Sequence, residues 1–308
     1  MLKRAFLFPG QGSQTVGMGK SFYEKSEEAR RLFDRADEVL GYPISRLCFE
    51  GPEEELRLTK NTQPALLLVS TAAFRLFGRE PEVAAGHSLG EYSALVAAGA
   101  VAFEDALLAV HKRGTYMQEA VPVGEGAMAA VLGASVASLE AAFAQVTSGI
   151  VQIANWNSEE QIVIAGHKAA VEEALRIARP PRSVLLPVSA PFHSALMLSA
   201  EEKLAADLDR IEFRDLAFPI ITNVDAKSIR TGAEARDALK RQVSRPVLWY
   251  KSMQILAGEA IDAFVELGAG KVLSGLIKRI GKGWPHPFTI WNVEDWESLE
   301  KARSEGRI

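Results

Sequence analysis

Gly86-His87-Ser88-Leu89-Gly90 follows the short apolar run Val83-Ala84-Ala85 and leads into the Ala-rich segment that begins at Glu91. A strand that reverses sharply into a helix through Gly-x-Ser-x-Gly holds its serine in a strained backbone conformation. The glycines two residues to either side let neighbouring backbone approach without a Cβ clash. Ser88 therefore reads as a nucleophile, with the dipole and free N–H groups of the following helix aimed at whatever it attacks. The five-residue pattern is weak by itself in a chain with 24 glycines, so the residues that could complete the chemistry have to be sought elsewhere.

A serine nucleophile needs a base. The five histidines are His87, His111, His167, His193 and His286. His87 sits inside the elbow, where its side chain points away from that of Ser88. His193 lies in Ser189-Ala190-Pro191-Phe192-His193-Ser194, a proline-fixed loop expected over the cleft, and is the candidate base; its alternative role is to cap the helix that begins near Ser194. The remaining histidines form no His-x-x-x-His pair, so the sequence predicts no metal site. A triad would also place a buried carboxylate behind the histidine. Glu266, Asp225 and Asp262 are equally placeable, and a backbone carbonyl could orient the ring by accepting the Nδ1 proton instead.

Arg113 supplies a third element. On a helix read from about 103 to 118, Phe103, Ala106, Val110 and Met117 form one apolar stripe at three- and four-residue steps, and Arg113 falls within it. An inward arginine needs an anion: either a core carboxylate or the carboxylate of a substrate, which it could clamp with about 1.5–3 kcal/mol per charge-assisted hydrogen bond.

The elements that must position these residues alternate. Lys3 to Phe8 reads as a strand ending in Pro9-Gly10-Gln11-Gly12-Ser13. Thr62-Gln63-Pro64 opens an apolar helix closed by Gly78, with a hydroxyl cap before the proline of the first turn. Strand, elbow and helix follow at 82–98. Between about 124 and 195 the order changes to strand (127–132), helix (136–146), strand (151–154), strand (161–165), helix (168–177) and strand (183–188), the β-α-β-β-α-β order of a ferredoxin-like unit. A helix (195–208), strand (219–223), helices (233–242 and 247–257), strand (261–267), helix (271–280) and strand (288–291) resume the alternation, and the charged segment 294–307 reads as a solvated end. The predicted fold class is thus α/β, a hydrolase-like parallel-sheet large domain formed by 1–123 and 196–308 with an inserted ferredoxin-like small subdomain at 124–195.

Composition sets the bounds. A chain of 308 residues, 48% hydrophobic and 24% charged, can bury a large core. The apolar stretch from Ala5 to Phe8 is too short for a signal peptide and no run approaches a membrane span, so the expected compartment is the cytoplasm, with no membrane partner. A single cysteine, Cys48, rules out an internal disulfide framework and suits a small core hydrophobe. The net charge of -4 argues against a nucleic-acid binder. Gly268-Ala269-Gly270 is no dinucleotide fingerprint, because Leu273 stands where the third glycine belongs.

Taken in order, Phe8-Pro9-Gly10-Gln11-Gly12-Ser13-Gln14, Asn61-Thr62-Gln63-Pro64-Ala65, the Gly-His-Ser-Leu-Gly-Glu elbow, Arg113-Gly114 with Met117-Gln118, Ala190-Pro191-Phe192-His193 and Glu266-Leu267-Gly268 span almost the whole chain. This set strongly resembles the malonyl-CoA:acyl-carrier-protein transacylases of fatty-acid synthesis. The resemblance implies Ser88 as the acylated serine, His193 as its general base and Arg113 as the partner of the malonyl carboxylate. It implies Gln11 and the backbone N–H of Leu89 at the oxyanion site, and the main-chain carbonyl of Gln242 as the group that orients the histidine. It further implies malonyl-CoA and an acidic acyl carrier protein as partners, no metal or redox cofactor, coenzyme A only as a substrate carrier, and a monomer. Lys271, Lys278, Arg279 and Lys282, or Arg179 and Arg182, are candidates for a basic docking face. The alternative is a serine thioesterase acting on acyl-CoA or acyl-ACP, which shares the elbow but has little use for an inward arginine.

Overall fold

The computed structural model describes residues 2–188 and 190–307; Ser189, which opens the loop before His193, lies outside them, as do Met1 and Ile308. Among the described residues, ten strands form two sheets. Strands β1 (Arg4–Phe8), β2 (Val83–Gly86), β7 (Ile220–Ile221), β8 (Ser228–Ile229), β9 (Ala263–Leu267) and β10 (Thr289–Val293) make a six-stranded sheet in the order β10-β9-β1-β2-β7-β8. All its pairings are parallel except the β7-β8 hairpin. Strands β3 (Gly126–Leu132), β4 (Val151–Ser158), β5 (Gln161–His167) and β6 (Arg182–Leu185) make an antiparallel sheet in the order β4-β5-β3-β6.

β1 shows why the central strands read as unbroken apolar runs. Its side chains alternate between faces. Phe6 and Phe8 join the core beneath the helix Thr59–Phe77, whereas Ala5 and Leu7 join the opposite core with Trp249, Phe264 and Leu273, so neither face can be polar. The antiparallel sheet is likewise divided. Ala129, Val131, Ile162 and Ile164 pack with Leu139, Val171 and Ala174 of its two helices, while Met128, Val163 and Ala165 continue the main core. Backbone bonds from Trp156 N–H to the Val247 carbonyl (2.9 Å) and from Val247 N–H to the Ala154 carbonyl (2.8 Å) tie β4 to the segment after the helix Gly232–Gln242.

Two expectations change, and one unassigned segment gains its elements. The helix expected to open at Thr62 begins at Thr59, which leaves Pro64 inside it. A proline there frees the carbonyl four residues earlier, and that carbonyl, on Lys60, lies 2.9 Å from the ring Nδ1 of His111, which supplies the missing donor. The segment 20–56 holds helices Lys20–Lys25, Glu27–Leu40, Ile44–Glu50 and Glu53–Leu56 that the sequence reading did not place. The segment 294–307, expected as a solvated end, instead carries the helix Trp296–Ser304 just after β10. A capping box between Asp295 and Ser298 starts that helix, and buried Leu299 and Ala302 anchor it.

Candidate active site

β2 ends at Gly86, Ser88 takes a left-handed φ of 52°, and the next helix starts at Gly90. The glycines are dictated by proximity. A methyl group on Gly86 would stand 1.9 Å from the backbone of Gly90, and one on Gly90 would stand 2.0 Å from the Phe8 carbonyl of β1. The Ser88 N–H donates to Asn223 Oδ1 (2.6 Å), and the Asn223 amide donates in turn to the Gly86 carbonyl (2.7 Å), so one side chain from the end of β7 clasps both limbs of the elbow. A non-glycine residue at positive φ costs on the order of 1–3 kcal/mol and persists only where surrounding bonds over-determine it, as these do.

His193 reaches this serine. Its Nε2 lies 2.8 Å from Ser88 Oγ and its Nδ1 lies 2.9 Å from the main-chain carbonyl of Gln242. A carbonyl only accepts, so Nδ1 carries the proton and Nε2 presents a lone pair to the serine hydroxyl, which is the tautomer a general base requires. His193 also adopts a left-handed φ, 58°, and is 3% exposed. Burial, and then the charge of Arg113, push the imidazole down to about 3 against the hydrogen bond to the Gln242 carbonyl, so the ring is neutral at rest. None of the three placeable carboxylates touches it. Glu266 accepts from the Leu273 and Ser274 N–H groups at the start of the helix Val272–Ile280, Asp225 pairs with Arg241, and Asp262 pairs with His286 and the Lys3 N–H.

Arg113, on the helix Phe103–Glu119, is 1% exposed. Its Nη1 donates to Gln63 Oε1 (2.8 Å), and its Nη2 donates to Gln242 Oε1 (2.9 Å) and to Ser88 Oγ (3.1 Å), while the guanidinium lies over the Tyr92 ring at 5.6 Å. Among the described residues no carboxylate hydrogen-bonds to it, and its Nε has no partner. A structural ion pair, the other reading open to an inward arginine, is thus not what holds it. Two neutral amides aim a positive charge at the nucleophile and leave the charge uncompensated at contact range.

Gln242 does more than its backbone suggests. Its side-chain amide accepts from Arg113 and donates to the Ser88 carbonyl (3.1 Å) and to Glu91 Oε2 (2.7 Å). Gln63, Asn223, Glu91 and the Gln242 side chain were not singled out from sequence for these roles. Gln63 follows the polar residues Lys60, Asn61 and Thr62, so its type did not mark it out. Gln11 sits in the loop after β1, where the His87 N–H bonds the Phe8 carbonyl at 3.0 Å, and its amide donates to Thr59 Oγ1 at 3.4 Å. Leu89 is buried as the residue preceding the helix Gly90–Ala97, so its N–H belongs to the free first turn of that helix. Of the surface cations read as a docking face, Lys271 is paired with Glu294 at 2.6 Å.

The chain belongs to the acyl transferase family, whose acyl transferase domain matches residues 5–285. The malonyl CoA-acyl carrier protein transacylase of Bacillus subtilis (strain 168) is 49% identical to it over 98% of this chain and 96% of that protein. Among solved structures, the malonyl CoA-acyl carrier protein transacylase of Coxiella burnetii superimposes with a TM-score of 0.93 at 41% identity, covering 98% of this chain and 96% of the other. A malonyl-transacylase solved in complex with a type II PKS acyl-carrier protein gives the same TM-score at 41% identity, covering 98% and 99%. Within the acyl transferases, the chain is thus a member of the malonyl CoA-acyl carrier protein transacylases.

Proposed function

We propose that this protein moves a malonyl group from malonyl-CoA to the phosphopantetheine thiol of acyl carrier protein, by way of an ester on Ser88. The observation that carries this reading is Arg113: a buried guanidinium, 3.1 Å from Ser88 Oγ, with no carboxylate among the described residues hydrogen-bonded to it. It fits an acyl group that brings its own carboxylate. A serine thioesterase of simple acyl groups would bear the cost of burying that charge for no gain.

The steps follow from the geometry. Ser88 Oγ attacks the thioester carbonyl while its proton passes to His193 Nε2. The imidazolium so formed is steadied by the Gln242 carbonyl on Nδ1 and by the negative charge developing on the substrate oxygen, which offsets the repulsion from Arg113. The Leu89 N–H and Gln11 serve that oxyanion; the Ser88 N–H is engaged by Asn223. His193 then returns the proton to the departing coenzyme A thiolate, so that thioester and serine hydroxyl become serine ester and free thiol. The carrier-protein thiol repeats the sequence in reverse, which makes the kinetics ping-pong. Every group this chemistry uses is a side chain or backbone amide of the chain, so the reading includes no metal or redox cofactor. The segment 124–195 acts as a small subdomain that brings His193 back over the elbow. In this reading the enzyme works as a monomer in the cytoplasm; among the described residues no helix is long and apolar enough to cross a membrane.

Intact-mass measurement after mixing with malonyl-CoA tests the ester. One malonyl unit per chain is expected on the native protein and none on Ser88→Ala; an adduct that survives in Ser88→Ala, or none on the native chain, contradicts the proposal.

A further inference from the structure

Glu91 is fully buried on the first turn of the helix behind the elbow, and the mechanism above gives it no part. Its Oε2 accepts from the Asn223 N–H (3.0 Å) and from the Gln242 amide (2.7 Å), and that same amide accepts from Arg113 (2.9 Å). One neutral amide therefore separates the only carboxylate in this network from the only guanidinium. Glu91 Oε1 has no partner among the described residues. The other ionisable groups facing Glu91 are Asp225 from the β7-β8 turn, itself bridged by Arg241, and Tyr92 beside it on the same helix; His193 lies across the Gln242 peptide.

We infer that Glu91 is the counter-charge of Arg113 in the empty enzyme and takes up a proton when a malonyl carboxylate displaces it in that role. The inference rests on the malonyl reading of Arg113. With the site empty, the buried charges of Arg113 and Glu91 cancel. A malonyl carboxylate seated on Arg113 would leave two negative charges against one positive around the buried side chains of Arg113 and Glu91, which is costly where solvent screens them poorly. A proton from solvent on Glu91 restores neutrality, while an uncharged acetyl group makes no such demand. Burial already pushes the Glu91 carboxyl up to about 7, against the hydrogen bonds from Gln242 and Asn223 and the charge of Arg113. Loss of Arg113's free charge to the substrate raises it further. The sign follows by linkage: binding that raises a group's pKa is favoured at low pH and weakens as pH rises from the free to the bound value. Malonyl capture should therefore weaken above neutrality by up to about tenfold per pH unit, and acetyl capture should not.

The test is proton uptake during a single turnover of acylation, read with an indicator dye at roughly pH 7.5 in weak buffer, where the free and bound states differ most. Intact mass is measured on the same samples. The native enzyme is expected to take up a substantial fraction of one proton more per malonyl-serine than per acetyl-serine, the small release from the ionising coenzyme A thiol being common to both, and Glu91→Gln is expected to show no such excess. A malonyl adduct formed without that excess, equal uptake with both acyl groups, or an excess that persists in Glu91→Gln overturns the inference while leaving the malonyl ester intact. Absence of the adduct overturns both. Should Glu91→Gln fail to fold, infrared difference spectra of the native malonyl-enzyme against the free enzyme decide. A carboxylic-acid C=O band sensitive to deuterium, present for malonyl and not for acetyl, and unmoved when the malonyl group carries 13C, supports proton uptake by Glu91, and its absence refutes it.

Discussion

Arg113→Ala should lower malonyl transfer by about two or more orders of magnitude and leave acetyl transfer level or faster. A desolvated charge-assisted pair is worth roughly 1.5–3 kcal/mol per hydrogen bond, and about 1.4 kcal/mol is a factor of ten. The guanidinium has an Nε with no partner among the described residues and an Nη2 that faces the serine, so a carboxylate carried on the acyl chain can meet it as the ester forms. An acetyl group gains nothing from Arg113 and is freed from competing with a buried charge for the pocket. The readout is kcat/KM for malonyl-CoA and acetyl-CoA with the same carrier protein. Equal losses for both would make Arg113 a structural residue that holds Gln63 and Gln242 in place.

His193→Ala should slow acylation by roughly a hundred- to ten-thousand-fold, the usual contribution of a positioned general base. The binding of acyl-CoA should change far less, since the imidazole contacts Ser88 and Gln242 rather than a substrate-binding side chain. The pH profile carries a more particular signature. A group that acts as a base works above its pKa and fails as pH falls through it. Burial and Arg113 hold His193 far below the ordinary imidazole value, down to about 3. For acetyl-CoA, whose acyl group is uncharged, kcat/KM should run level as pH falls through the usual histidine range near 6.5 and decline only in more acidic solution. An inflection near 6.5 that vanishes in His193→Ala would show the ring to be far less desolvated in solution.

The parts of this site that sequence made legible are those whose residue type conflicts with its setting. Ser88 stands between two glycines that backbone contact with Phe8 and Gly90 makes necessary, and Arg113 is a cation on an apolar stripe whose other members are all buried. His193 was placed by elimination among five histidines and by its proline-fixed loop, and Gln242 by likeness to a family. The uncharged network was silent because its members, Gln63, Asn223 and the Gln242 side chain, look like any polar residues until the chain folds. They meet from positions as far apart as 63 and 242, a separation that no local pattern encodes. The helices in 20–56 were missed for a different reason. Three of them span only four to seven residues and bury one or two side chains each, such as Phe22 and Cys48, too few for a stripe to develop, whereas Glu27–Leu40 does carry one in Ala29, Leu32, Phe33 and Ala36. The C-terminal helix reads as solvated chain in the sequence because just two of its residues, Leu299 and Ala302, are buried. Pro64 misled the placement of its helix start because the donor that relieves it, His111, lies on another helix.

The central claim is that Ser88 holds malonyl between two thiols, and the fate of the isolated malonyl-enzyme tests it most directly. The ester is formed with malonyl-CoA, freed of coenzyme A, divided, and followed by intact mass in buffer alone and with holo acyl carrier protein. Malonyl should stay on the enzyme in buffer and appear on the carrier protein within the turnover time once the thiol is supplied. Release as free malonate at the same rate in both samples would make the protein a hydrolase and contradict the account.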